Sequence, residues 1–425
     1  DTGDEIELDM SAPGVFAGTI EAFTGLDNDD HVALLTPHRG AILGTTVPAD
    51  YTIALPEPGS KGFWETGDLI GPGQVAAMGV LPSGDVIEFG TLNNDNGSRC
   101  YLRRRDKGGA WLLGDVVDVL PDVKCAAIDL AVDAQGVMFV LAYREVGNDV
   151  RWWLGRISSW KAEPAQLGLG NTKETAVALA AHPSGTIAAC GFAPTPAPDE
   201  DAFAVMFRPN SPGESQTFDY PGQALPHTFS ERTRDCVFAG ETLALVGEAY
   251  GQHGMEKLQR DRLFVLKTDM NTLVNTVWMV APLGVKVQSG AQAVAVDDLG
   301  RLVVAAYVCD DTCQPEADLR VYDAQWEIPY LAPLGKFPTK QSAVRDLAWS
   351  HAGYATAATG GMVGNETAFT VRAFDLEKKA PVWTFARKDS GVLHMALALA
   401  VGKYGEIYAG GFGENGYPAV AYIGG

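Results

Sequence analysis

A tight turn between two apolar runs recurs along this chain at a near-constant interval. It reads TPHRGAIL, LPSGDVIEF, DAQGVMFVL, HPSGTIAAC, AGETLALVG, DLGRLVVAA, SHAGYATAA and GKYGEIYAG. The turn glycines are Gly40, Gly84, Gly136, Gly185, Gly240, Gly300, Gly353 and Gly405, a period of about 50 residues. Each turn joins two short apolar runs, which is the pattern of a β-hairpin. Runs such as AVALAA and MALALAV are apolar on both faces, so they predict strands covered on both sides. A more polar pair of strands follows in most units, as in DVRWWLGRI, DAFAVMFRP, DRLFVLKTD and ADLRVYDAQW. Four strands per unit, repeated around an axis, make a β-propeller.

Eight turns predict an all-β chain folded as a single eight-bladed propeller. Seven blades is the alternative, if the first unit is irregular. The last unit stops after its third strand, at AVAYIGG, and GVFAGTIEAF (Gly14–Phe23) is expected to add the missing outer strand and close the ring. Residues 1–12 read as a flexible acidic segment and residues 13–425 as the propeller. A length of 425 residues would by itself favour several domains, but the repeat overrules that expectation.

Three units carry a further pattern. AFDLEKKAPVW holds Phe374, Asp375 and Trp383, KTDMNTLVNTVW holds Asp269 and Trp278, and VYDAQW holds Tyr322, Asp323 and Trp326. Paired glycines occur at Thr359–Gly361 and Ala409–Gly411. In these features the chain resembles bacterial extracytoplasmic propellers of the pyrroloquinoline-quinone-like and Kelch-like repeat type. There the third strand often ends in an aromatic–Asp pair, with a Trp several residues later. The resemblance implies tryptophans packed between blades. Quinone alcohol dehydrogenases on eight-bladed propellers usually carry adjacent cysteines near the cofactor. This chain has none, which counts against that enzyme.

Six cysteines are present and none forms a Cys-x-x-Cys pair, so the common redox and zinc motifs are missing. Cys309 and Cys313, in CDDTC, suit a local disulfide; Cys100–Cys125 and Cys190–Cys236 are one way to pair the rest, but six cysteines allow 15 pairings and the sequence settles none beyond Cys309–Cys313. All six map toward one face, where disulfides are expected to fix the loops. Even cysteine usage of this kind favours an oxidising, extracytoplasmic compartment: secreted, periplasmic or on an outer surface. The opening DTGDEIELD reads like the tether of a bacterial surface lipoprotein. A net charge of −21 argues against nucleic acid as partner and against an anionic membrane surface. There is no apolar run long enough for a transmembrane helix.

If the strands of a blade are named a to d from the axis outward, the a–b turns are tight throughout. The b–c and d–a connections, such as EAYGQHGMEKLQRDR and EPGSKGFWETGDLIGPGQ, are long and fall on the opposite face. Loops on a rigid scaffold carry function disproportionately. The starts of the inner strands line the channel mouth on that face and are mostly small and apolar. The polar exceptions are Asp30 and His31, Arg234 and Asp235, Gln292, Arg345 and Asp346, and His394; convergent polar groups of this kind are candidate ligand contacts. The plainer reading is that Arg345 and Asp346 satisfy each other or the neighbouring blades. Trp64, expected in a connecting loop, could stack on a sugar. The acidic segments with Asp27, Asp29 and Asp30, and with Asp95, could hold calcium through oxygen ligands, although neither shows the spaced pattern that ends in Glu. His38, His182 and His351 sit beside the tight turns and read as turn residues.

No catalytic signature is present: Gly-x-Ser-x-Gly, His-Glu-x-x-His and the phosphate-binding loop are all missing. GFGENG fits a dinucleotide-binding spacing, but it lies in a hairpin with no helix behind it. The expectation is therefore a binding or scaffold propeller that meets a protein or glycan partner with its long-loop face, with no cofactor assigned beyond the calcium considered above. The alternative is a quinone- or metal-dependent oxidoreductase, or a carbohydrate-active enzyme.

Overall fold

Seven four-stranded antiparallel sheets carry the fold. The computed structural model describes residues 71–423 apart from short stretches, mostly in the connecting loops, and in residues 1–70 the backbone of short strands. Blade 1 runs through Gly73–Val80, Val86–Asn94, Gly97–Arg105 and Trp111–Asp118, as strands a to d. Blade 2 uses Cys125–Val132, Met138–Val146, Asp149–Ile157 and Ala165–Leu169. Blade 3 uses Thr175–Ala181, Ile187–Pro194, Glu200–Phe207 and Glu214–Phe218. Blade 4 uses Phe229–Ala239, Thr242–Gly251, Arg260–Asp269 and Val277–Val280. Blade 5 uses Gln288–Val296, Leu302–Cys309, Glu316–Tyr322 and Tyr330–Lys336. Blade 6 uses Asp346–Ser350, Tyr354–Val363, Glu366–Asp375 and Ala380–Arg387. Blade 7 takes Met395–Val401, Ile407–Phe412 and Pro418–Tyr422, and its outer strand is Phe63–Glu65.

The ring therefore has seven blades, the alternative expected for an irregular first unit, rather than eight. The unit around Gly40 forms no blade: Asp30–Leu35 pairs with Val47–Thr52 as a two-stranded sheet, and His38–Arg39 pairs with Ile42–Leu43. The closing strand is N-terminal to the blades, as expected, but it is Phe63–Glu65 rather than the Gly14–Phe23 segment, within which Val15–Ala17 pairs with Asp9–Ala12. Sharing blade 7 between the two ends of the ring covers an edge that would otherwise offer unpaired backbone groups.

The repeated glycines have a conformational cause. Gly84, Gly136, Gly185, Gly240, Gly300 and Gly405 all have φ between 57° and 86°, the left-handed region that a side chain disfavours. Gly40 and Gly353 lie outside the described residues. The double-sided apolar runs also have a cause. Seven apolar clusters form the core, one in each joint between neighbouring blades. A strand in the middle of a blade faces one joint with its odd residues and the next with its even ones. In DVRWWLGRI, for example, Trp153 is buried in the joint to blade 1 and Trp152 in the joint to blade 3. Trp278 and Trp383 pack against the clusters of the 3–4 and 6–7 joints, and Trp326 lies outside the described residues.

Among the described residues two disulfides form, Cys100–Cys125 and Cys190–Cys236. They do not tie loops. Each links neighbouring blades inside an apolar cluster, the first between blades 1 and 2 and the second between blades 3 and 4. Cys309 is buried in the joint between blades 5 and 6, and Cys313 lies outside the described residues, so their pairing does too.

Candidate functional site

Each inner strand is interrupted by a β-bulge at the same place. The register slips between Val75 and Ala77, Ala127 and Asp129, Ala176 and Ala178, Thr233 and Asp235, Ala291 and Ala293, and Ala396 and Ala398. In blade 6, strand a starts at the same feature: the Arg345 amide donates to Ala358 O, opposite which Asp346 also pairs. The extra residue of a bulge leaves the ladder and its side chain is re-aimed. Here the seven extra residues are Ala76, Ile128, Val177, Arg234, Gln292, Arg345 and Leu397, and all seven line one central cavity of about 240 Å³. The bulge lies toward the b–c face. That face is less uniform than the sequence implied: the b–c connection is a tight hairpin tip in blades 1, 2 and 6 and longer in blades 3, 4 and 5.

The ring of bulged residues is divided. Blades 4, 5 and 6 supply Arg234, Gln292 and Arg345, a polar arc with two guanidinium groups. Blades 7, 1, 2 and 3 supply Leu397, Ala76, Ile128 and Val177, an apolar arc. Arg234 donates to Glu248 Oε1, and the Tyr307 hydroxyl donates to Glu248 Oε2 at 2.9 Å, so blades 4 and 5 together hold this arginine in place. Gln292 Oε1 accepts the Val344 amide at 2.9 Å, across the 5–6 joint. The Arg345 guanidinium has no hydrogen-bond or ion-pair partner among the described residues. Burial and the nearby positive charge of Arg234 lower its pKa.

The residue after the bulge follows a second rule. It reads Ala77, Asp129, Ala178, Asp235, Ala293, Asp346 and Ala398 from blade 1 to blade 7, with Asp in blades 2, 4 and 6. Each carboxylate accepts the next amide of its own strand with one oxygen: Leu130 N, Cys236 N and Leu347 N, all at 2.7 Å. The other oxygen accepts an amide of the following blade: Leu179 N at 2.6 Å, Val294 N at 2.7 Å and Leu399 N at 2.6 Å. These aspartates are clamps across the 2–3, 4–5 and 6–7 joints. Burial pushes the Asp129 carboxyl up to about 7 and that of Asp346 up to about 6, in each case against the effect of its two amide bonds. Asp235 is pushed well above the usual range by burial and then by the charge of Asp346.

The sequence candidates thus separate. Arg234, Asp235, Gln292, Arg345 and Asp346 do converge on the channel. Asp346 satisfies its own blade and blade 7, not Arg345. His394 is fully buried and is not part of the cavity wall. His31, with Asp30, belongs to the small N-terminal sheet rather than to an inner strand of a blade. Trp64 is not in a loop: it pairs with Val420 in the closing strand. Asp27, Asp29 and Asp95, the carboxylates considered for calcium, lie outside the described residues, as does the side chain of Asp30. Among the described residues no group of three His, Cys, Asp or Glu side chains is arranged to hold a metal ion. His182 is a turn residue, with its Nδ1 accepting the Ser184 amide at 3.1 Å; His38 and His351 have no described side chains. The clamp Asp129 went unread in the sequence, although its alternation with alanine at one repeat position is a usable signal.

No family model matches the chain, and no curated protein matches it in sequence. Solved structures are similar to it in shape. A streptogramin B lyase superposes with a TM-score of 0.50 over 85% of this chain and 97% of its own, at 10% identity. The Chaetomium thermophilum protein Sqt1, solved with the N-terminus of ribosomal protein L10, gives 0.48 at 14% identity, over 87% of this chain and 100% of its own. The microbial sialidase Hz136 gives 0.42 at 13% identity, over 82% and 73%. At these identities the likeness shows the propeller fold alone, and propellers serve unrelated activities. No helix among the described residues is long and apolar enough to cross a membrane.

Proposed function

We propose that this protein is an extracytoplasmic binding propeller that takes its ligand into the mouth of the central channel, on the b–c face. The single observation that supports this reading is the ring of seven bulged side chains, all aimed into one cavity and divided into a polar and an apolar arc. A concave site into which a few polar groups converge is a common feature of small-ligand sites. The two interblade disulfides agree with an oxidising compartment. The turn-capping role of Asp269, which accepts the Asn271 and Thr272 amides, and of Asp375, which accepts the Lys378 amide, agrees with repeats of the quinone-like or Kelch-like type.

An enzymatic reading draws on one feature, the carboxyls of Asp129 and Asp346 with pKa values near neutrality inside a cavity. Such groups are candidates for general acid or base work. Both oxygens of each are engaged by backbone amides, however, so a structural role accounts for them. Binding is therefore the reading adopted. Native mass spectrometry of the protein, produced in its own source as wild type and as R345A, tests it. A retained small-molecule mass that R345A loses while folded is the expected result. A mass that R345A keeps would place the site elsewhere, and turnover of a substrate that depends on Asp129 would replace binding by catalysis.

A further inference from the structure

The cavity specifies the chemistry of its occupant, if the channel mouth is the binding site proposed above. Consider first what the polar arc offers. Arg234 and Arg345 carry donors only. Gln292 Oε1 accepts the Val344 amide, so part of the acceptor capacity of this side chain is committed to the 5–6 joint. The three aspartates that share the cavity wall have each committed one oxygen to their own strand and one to the next blade. The site is rich in donors and asks for acceptors.

The charges sharpen this. Arg234 is matched by Glu248. Arg345, on the far side of Gln292, is a second guanidinium lining the same cavity with no matching carboxylate among the described residues. Arg345 is thus the guanidinium left without an ion-pair partner among the described residues, and the clamp carboxylates close by disfavour an occupant with more than one negative charge. The side chains of the rest of the ring, Leu397, Ala76, Ile128 and Val177, offer no hydrogen bond and favour hydrocarbon. With a volume of about 240 Å³, the cavity takes a small occupant or the small end of a larger one.

We infer that the channel binds a carboxylate carried on an apolar body, with the carboxylate between Arg345 and Arg234 and the body against the Leu397–Val177 arc. Planar, two-pronged guanidinium groups suit a carboxylate better than a point charge would. A free phosphate would meet the arginines but leave the apolar arc in contact with water. The same chemistry has two sources: a free organic acid, or the C-terminus of a peptide that ends in an apolar residue.

Calorimetric titration of the full-length protein separates these outcomes. The probes are hexanoate, hexanamide, inorganic phosphate, and a pentapeptide ending in leucine with a free or an amidated C-terminus. Hexanoate is expected to bind and hexanamide to bind at least tenfold more weakly. R345A should weaken hexanoate at least tenfold, R345K should recover part of the loss, and L397S should weaken hexanoate without admitting phosphate. Alanine already occupies the equivalent bulge in blade 1, as Ala76, so R345A is expected to fold, with circular dichroism as the control. Tighter binding of the free peptide than of hexanoate, lost on amidation, would assign the ligand to a protein C-terminus; the reverse order would assign it to a free acid. Equal binding of hexanoate and hexanamide, both lost in R345A or L397S, would overturn the anion while leaving the channel as the site. Phosphate binding as tightly as hexanoate would overturn the apolar body. No binding of any carboxylate would overturn the inference. A natural ligand seen by mass spectrometry and indifferent to both variants would overturn the channel reading itself.

Discussion

At the scale of single residues, the three clamp aspartates show what a carboxylate adds to a backbone joint. Each gathers two amides from neighbouring blades, and charge-assisted bonds of that kind are stronger than neutral ones. The position tolerates alanine sterically, because alanine occupies it in the other four blades. D346A should therefore fold but leave the Leu347 and Leu399 amides without their acceptor, at a cost of about 1–3 kcal/mol for each amide that water cannot reach. Thermal unfolding followed by circular dichroism would show the loss as a lower midpoint. The same residues set a pH dependence. Asp129 and Asp346 have folded pKa values of about 7 and about 6, above the ordinary unfolded value of roughly 3.9. The folded state therefore holds more protons than the unfolded state between these limits, and stability falls as pH rises. The contribution is full below about pH 4 and lost by about pH 7. Unfolding midpoints measured across that range should decline, and the double variant D129A/D346A should flatten the decline; an unchanged slope would mean that these carboxyls are ionised throughout.

Among the elements, the bulge is the unit that makes a channel site out of an ordinary inner strand. It needs room on strand b. In blade 3 the residue opposite is Gly191, where a Cβ would overlap the carbonyl oxygen of Thr175 and crowd Ala176 Cα. Gly90, Gly247 and Gly411 stand in the same relation to strand a in blades 1, 4 and 7. G191A is expected to destabilise by ~1–3 kcal/mol through forced backbone movement, and to disturb Val177 in the channel. Denaturant unfolding of this variant would check the value, and a neutral result would show that the bulge adapts freely. G185A tests a different cause. Its φ of 84° makes the expected cost about 1–2 kcal/mol of backbone strain, with no change at the channel.

For the whole molecule, each joint has its own fastening. Disulfides hold 1–2 and 3–4, aspartates hold 2–3, 4–5 and 6–7, the Gln292 amide crosses 5–6, and the exchanged strand Phe63–Glu65 completes blade 7 beside blade 1. An alternation of Asp and Ala cannot close on an odd number of blades. It fails between Ala398 and Ala77, beside the blade that holds the exchanged strand. The disulfides close loops with sequence separations of 25 and 46. Chain entropy then gives each about 3–4 kcal/mol. Reduction under denaturing conditions, followed by refolding with the thiols blocked, should lower the unfolding midpoint markedly; an unchanged midpoint would mean that the apolar joints alone hold the ring.

The hairpin turns, the double-sided burial of the inner strands and the propeller architecture were all written in the sequence, because each depends on residues close together in the chain. A glycine at positive φ and an alternating apolar run act locally. Arg234, Gln292 and Arg345 were also legible, as polar breaks at one repeat position. The number of blades was not. The unit around Gly40 has the same local pattern as a blade, and whether it joins the ring depends on how many sheets close the circle and on which strand completes the last one. The roles of the cysteines were likewise decided by the tertiary structure. Cys100 meets Cys125 and Cys190 meets Cys236 in the cores between blades, not in loops, because packing across a joint brings together side chains that the chain itself keeps far apart. The division of the channel into a polar and an apolar arc arises in the same way: seven residues, one per blade, acquire a common neighbour only when the ring is closed.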